Sequence, residues 1–344
     1  MRSHIRTGIV IALAAGLVIL FLMNVDLRGV LRAIVHARLD GLALSLLTMF
    51  VSLAIRSWRW QYLLEPLGTA SFASAFRATA VGFAASSVLP ARAGELIRPY
   101  FLARQQQLSA TGAFATIILE RVLDTLTVLV LLASYVFIFA DEPAASHRVT
   151  FEAVKWGGAT AGGGALLVLA VLFVLAGNPS RLAASLARLE RVLPSALAGL
   201  LARVAEKFAV GLGAVRRPGR LALALALSFP LWLTVALGVW AVAVAFDLGI
   251  SFTGSFLIVA MLAIGVALPT PGAVGGFHAM FRLGATTFFA APDDAAVGAA
   301  IVLHALTVGP MLLLGLFFAA QGGLNVAGLR RLADQPEPES PALP

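Results

Sequence analysis

Residues 78–99 read ATAVGFAASSVLPARAGELIRP. Ala78 to Ala91 carries no charge but is only 14 residues long, about 21 Å as an α-helix, against a hydrocarbon core about 30 Å thick. It falls short of crossing a bilayer alone. Pro90, Gly94 and Pro99 then interrupt helix continuity, with Arg92, Glu95 and Arg98 at the interruption. Irregular backbone at membrane depth is tolerated where it is buried in protein or lines a cavity, so the segment reads as a broken, re-entrant helical hairpin. Residues 268–277, LPTPGAVGGF, repeat the pattern. Pro269, Pro271, Gly272, Gly275 and Gly276 interrupt a run without formal charge from Leu248 to Phe281, giving a second hairpin.

Composition places both hairpins in lipid. Hydrophobic residues make up 60% of the 344-residue chain and charged ones 12%, with a mean hydropathy of +0.94, too much apolar surface for a soluble fold to bury. With no cysteine, disulfides, thiol catalysis and cysteine-ligated metals are excluded. The net charge of +8 is almost all arginine, Lys155 and Lys207 being the two lysines. In a membrane protein this suits cytoplasmic loops facing anionic lipid rather than nucleic acid.

Working outward, six apolar runs read as full spans: Thr7 to Met23, Gly41 to Ile55, Ser109 to Ala140, Trp156 to Ala176, Leu221 to Phe246, with Pro230 expected to kink it, and Ala295 to Ala320. Asn24 to Asp40 reads as a link, and RSWRWQYLL (56–64) as an aromatic and cationic interface anchor. Leu182, Leu186, Leu189, Leu193 and Leu197 share a face of an arginine-rich stretch, an interfacial or solvated connector interrupted at Pro194. The fold class is an all-α polytopic membrane protein with about six spans and two hairpins. Its membrane domain covers residues 1–325, in halves 1–177 and 221–325 joined by a basic connector at 178–220, ahead of a disordered cytoplasmic tail at 326–344. Each half holds a span, a hairpin broken at Leu-Pro and another span. Alternation puts the halves in opposite orientations, the inverted-repeat plan of many transporters, with the N-terminus in the cytoplasm.

Charges at membrane depth are costly and mark function. Arg92, Glu95 and Arg98 could hold a phosphate-bearing headgroup, since guanidinium forks match phosphate, or could form a self-neutralised anchor. Glu120 and Asp124 share a helix face, with Arg121 beside them. They could relay a proton or cation, or pair with arginines of the first hairpin. In the second half His278 and Arg282, four residues apart, could face one cavity, whereas His304 reads as a packed histidine. There is no HExxH, GxSxG or paired-aspartate metal motif, so no cofactor and no enzyme activity are expected.

The stretches RSWRWQYLL, VLPARAGELIRPYFLARQQQLSATGAFATIILERVLD and LPTPGAVGGFHAMFRLG resemble the membrane region of lysylphosphatidylglycerol synthase and its stand-alone flippase-like relatives. The most specific part is the LP-x-R-x-GE-x-x-R core with ER-x-x-D after it, which falls on Arg92, Gly94, Glu95, Arg98, Glu120, Arg121 and Asp124. One departure stands out: the family usually reads PGGLG followed by a glutamate, where this chain has Ala273 and His278. The full-length synthase adds an aminoacyl-transfer domain, and only 24 residues follow Ala320, so lysylphosphatidylglycerol synthesis by that route is not expected. The resemblance implies a bacterial inner-membrane protein moving an anionic or isoprenoid-linked lipid between leaflets, with two hairpins meeting near mid-bilayer. Arg92, Glu95, Arg98, Arg121 and Arg282 would hold the headgroup and Glu120, Asp124 and His278 would relay charge. The alternative is a non-transporting partner of a lipid- or glycan-synthesis enzyme.

Overall fold

The computed structural model describes residues 26–89, 92–139, 148–177, 195–268 and 270–322, and every regular element among them is helical. In chain order the helices are α1 (Leu27–His36), α2 (Leu39–Leu64), α3 (Phe72–Val88), α4 (Gly94–Gln106), α5 (Ala110–Ser134), α6 (Arg148–Gly177), α7 (Ser195–Gly211), α8 (Pro218–Ala245), α9 (Gly254–Ala267), α10 (Gly276–Phe289) and α11 (Asp293–Gln321). Five of them, α2, α5, α6, α8 and α11, are long and apolar enough to cross a membrane. They match five of the six expected spans; Thr7 to Met23 lies outside the described residues, as do Pro90, Pro269, Pro194 and the tail at 326–344. Helix α8 runs through Pro230 without ending.

Both hairpins form, and for the same local reason. The residue before a proline is pushed from helical to extended backbone, so α3 stops at Leu89 (φ −94°, ψ 145°) and α9 at Leu268 (φ −65°, ψ 129°). Each chain then turns through left-handed backbone, with φ of 54° at Arg92 in the first hairpin and of 60° and 57° at Gly272 and Ala273 in the second. The paired legs touch through glycines. A Cβ on Gly94 would overlap the carbonyl oxygen of Gly82, and Gly265 and Gly276 exclude a Cβ on each other in the same way. Only glycine permits helices to approach so closely.

Helices α2 and α8 pack antiparallel along their length. Arg38 N–H donates to the Ala245 carbonyl (3.0 Å) at one end, Gly238 sits against Thr48 midway, and Arg220 pairs with Glu65 (2.7 Å) at the other. The open end of the first hairpin, closed by Gln106 Nε2 donating to Ser74 Oγ (3.0 Å), leads through the turn at Gln107 into α5. The second hairpin opens at the Ala245 end, where Phe289 meets Tyr135. The hairpins thus enter from opposite ends, and their turns meet in the interior, Gly272 against Ser87.

Two expectations change. Asn24 to Asp40 is not a plain link: Asp26 caps α1 by accepting from Arg28 N–H (2.9 Å), and Gly29 and Val30 pack on the start of α11. Nor is RSWRWQYLL an interface anchor. Arg59 and Trp60 are fully buried and Arg56 is 8% exposed, while Trp58 remains outside at 55%. The helical period turns Arg56, Arg59, Trp60 and Leu63 inward, where carboxylates wait for the arginines.

Candidate functional site

Glu120 and Asp124 lie on one face of α5, one turn apart, and both are buried. A carboxylate cannot remain charged inside protein without partners, and four arginines from three helices supply them. Arg98 of α4 grips Glu120 with both ends of its guanidinium, Nη1 to Oε1 at 2.9 Å and Nη2 to Oε2 at 3.2 Å. Arg121 Nη2 donates to the same Oε1 at 2.8 Å. Arg56 Nη1 bridges the two acids, 3.3 Å from Glu120 Oε1 and 3.0 Å from Asp124 Oδ2. Arg59 Nη2 lies 2.8 Å from Asp124 Oδ1 while its Nη1 donates to Ser228 of α8. Trp232 of α8 completes the shell, its indole N–H donating to Asp124 Oδ1 at 2.9 Å.

The arginines are also held by rings and hydroxyls. The Arg98 guanidinium stacks 3.9 Å from the Trp60 ring centroid, a cation–π contact that strengthens where water is excluded. The Trp60 indole N–H in turn donates to Thr116 Oγ1 (2.9 Å). Glu120 and Asp124 therefore fix the arginines from behind and leave their other faces toward an open space.

That space is a cavity of about 320 Å³ bounded by α2, α3, α4, α5, α8, α9, α10, α11 and the turn of the second hairpin. Arg56, Arg92, Arg98 and Arg121 line it together with hydroxyls such as Ser52, Thr79 and Ser86. Val239, Leu262, Val266, Leu303 and Met311 are among its apolar lining residues. Arg92 and Glu95 form an ion pair of 2.7 Å and are about one-third exposed.

A family model described as the lysylphosphatidylglycerol synthase TM region matches residues 8–315. This chain belongs to that family. Among curated proteins, the UPF0104 membrane protein MJ1595 of Methanocaldococcus jannaschii is 26% identical over 129 residues, 36% of this chain and 38% of that protein's length. The chain thus aligns with little more than a third of that relative. With five helices able to span and the family's membrane region covering most of its length, this member of the lysylphosphatidylglycerol synthase TM region family is a multi-pass membrane protein.

Of the residues expected at the site, the structure gathers Arg92, Gly94, Glu95, Arg98, Arg121 and Gly272 around the cavity, with Glu120 and Asp124 directly behind. Two fall elsewhere. Arg282 forms a bidentate pair with Asp293, both contacts 2.6 Å, at the start of α11 and is not part of the cavity wall. His278 packs below the wall, its Nδ1 accepting from Gly275 N–H at 3.4 Å and its ring 4.6 Å from that of His304. It is His304, expected only to pack, that lines the cavity. Because the Gly272 carbonyl can only accept, His304 Nε2 carries the proton of their 2.7 Å hydrogen bond and pins the second turn to α11. Gly275 shapes that turn with a φ of 88°.

Arg56, Arg59, Trp232 and His304 are the members that sequence reading missed. One signal for the arginines was present: Arg56 and Arg59 are spaced by three, and Glu120 and Asp124 by four, in helices otherwise apolar there. Complementary pairs at helical spacing on two spans are expected to seek each other, because neither pays its burial cost alone.

Proposed function

We propose that this protein moves an anionic lipid between membrane leaflets, the headgroup passing through the arginine-lined cavity while its chains stay among apolar side chains. The observation that carries the reading is the cavity's position and composition. Guanidiniums from α2, α4 and α5 face a space at the meeting point of two hairpins that enter from opposite ends. A site between broken helices near mid-membrane is the arrangement that alternating access requires.

In this reading the halves are an inverted repeat, in which α2, the first hairpin and α5 correspond to α8, the second hairpin and α11. Under that exchange, the antiparallel contact of α2 with α8 maps onto itself and each hairpin keeps the same kind of glycine contact. The end carrying Arg77, Arg104, Lys207, Arg216, Arg217 and Arg220 faces the cytoplasm. A crossing by Thr7 to Met23 then leaves Met1 on the same side, and the bacterial inner membrane is the setting. The first hairpin presents the arginines to the inner leaflet's headgroups, and the second hairpin controls release toward the outer side.

The test is transbilayer movement in proteoliposomes of purified protein with labelled anionic, zwitterionic and isoprenoid-linked lipids, beside an Arg92→Ala, Glu95→Ala variant. Faster movement of an anionic class, reduced in the variant, is expected. If the reconstituted, folded protein moves no lipid, the proposal fails and the partner reading takes its place.

A further inference from the structure

We infer that the cavity is matched to a phosphate bearing two negative charges, the terminal phosphate of a monoesterified lipid, in preference to the singly charged phosphodiester of ordinary phospholipids. The inference rests on the proposed role of the cavity in taking an anionic lipid and narrows its substrate.

Arg92 and Glu95 cancel each other at 2.7 Å. Behind them Arg56, Arg59, Arg98 and Arg121 share two carboxylates, Glu120 and Asp124, so two positive charges have no counter-ion among the described residues. Excess buried charge calls for a compensating ion. The two carboxylates are already shared among these arginines: both oxygens of Glu120 and both of Asp124 accept from arginine or tryptophan.

Hydrogen bonding points the same way. Arg56, Arg98 and Arg121, one from each of three helices, line the same cavity. A monoester presents three terminal oxygens to such a set and brings close to two charges at neutral pH, whereas a diester has two free oxygens and one charge. The cavity also offers little to a zwitterionic headgroup. Glu95 is the one acid among its lining residues and is engaged by Arg92, leaving no free carboxylate for a choline or ethanolamine cation. The apolar wall at Val239, Leu262 and Val266 accounts for a chain on the phosphate and separates a lipid from free phosphate as the occupant.

The test is calorimetric binding to the purified, detergent-solubilised full chain, with dodecyl phosphate, methyl dodecyl phosphate and inorganic phosphate as probes. The two esters share a chain and differ by one charge. At about pH 7.5 dodecyl phosphate is expected to bind at least about tenfold tighter than its methyl ester, the effect of one added charge-assisted contact. The advantage should shrink towards nothing at about pH 5, below the second phosphate ionisation near about 6. A Ser52→Asp variant places a carboxylate on the cavity wall one turn before Arg56, supplies one of the two missing charges, and is expected to reverse the preference toward the methyl ester. Equal affinity for the two esters at the higher pH overturns the inference even if lipid movement is observed. Inorganic phosphate binding as tightly as dodecyl phosphate overturns the lipid assignment. Selective binding of dodecyl phosphate by a protein that moves no lipid would keep this site and reject translocation.

Discussion

The two hairpins meet inside the molecule, Ser87 against Gly272, yet their turns are held by different chemistry. The first is fastened by charge: Arg92 to Glu95 within the turn, then Arg98 to Glu120 on α5. The second turn carries no formal charge from Leu268 to Phe281 and is held by a neutral hydrogen bond from His304 to the Gly272 carbonyl, with His278 and Gly275 bonded beneath it; the ion pair of its second leg, Arg282 to Asp293, lies away from the cavity wall. Breaking a buried ion pair leaves charges stranded, whereas releasing a neutral hydrogen bond costs much less. In the proposed transport cycle the first turn would be the fixed binding element and the second, held by the weaker bond, the one that moves.

The largest effect that would test this contrast comes from its most heavily bonded member. Glu120→Gln leaves Arg98 and Arg121 without their main acceptor and is expected to lower stability by about 3–5 kcal/mol, read as thermal unfolding of the purified protein in detergent. A loss no greater than that of the second-hairpin variants below would break the comparison. Next come the glycine contacts, which should be equal in the two hairpins. Gly94→Ala and Gly276→Ala each drive a methyl group into a facing backbone carbonyl and should each cost about 1–3 kcal/mol in the same assay; one tolerated and one not would mean that the legs are not built alike.

Smaller effects probe the second turn. His304→Ala removes the donor to Gly272 and is expected to cost about 1 kcal/mol while speeding any lipid movement in proteoliposomes. Slower movement would show that the latch must hold rather than release. Arg92→Gln breaks a partly exposed ion pair, so its stability loss should stay under about 1 kcal/mol, with a larger loss of anion binding in calorimetry. Ala273 holds a left-handed backbone, φ 57°. Ala273→Gly should raise stability by less than about 1 kcal/mol, because relief of that strain is partly offset by the added freedom of the unfolded chain.

The sites where sequence reading succeeded share a cause. Leu-Pro pairs, helical lengths too short to span and glycine clusters act within a few residues, so the hairpins could be read directly along the chain. The Glu120, Arg121 and Asp124 cluster was legible as costly charge at depth. The failures have a cause too. Arg56 looked like an interface anchor because it adjoins Trp58 and Tyr62, but its partners lie 64 and 68 residues away. His278 and His304 could not be ranked from spacing, since which of two adjoining rings reaches a cavity depends on how α10 and α11 pack.

The sequence by itself determined that this chain lives in lipid, where its helices break and which residues carry a charge that lipid would reject, since each follows from local composition and the thickness of a bilayer. Only the tertiary structure decided that four arginines share two carboxylates around one cavity. Charge at depth must find partners, but the identity of those partners is fixed by long-range packing, the antiparallel register of α2 on α8 and the meeting of two hairpin turns.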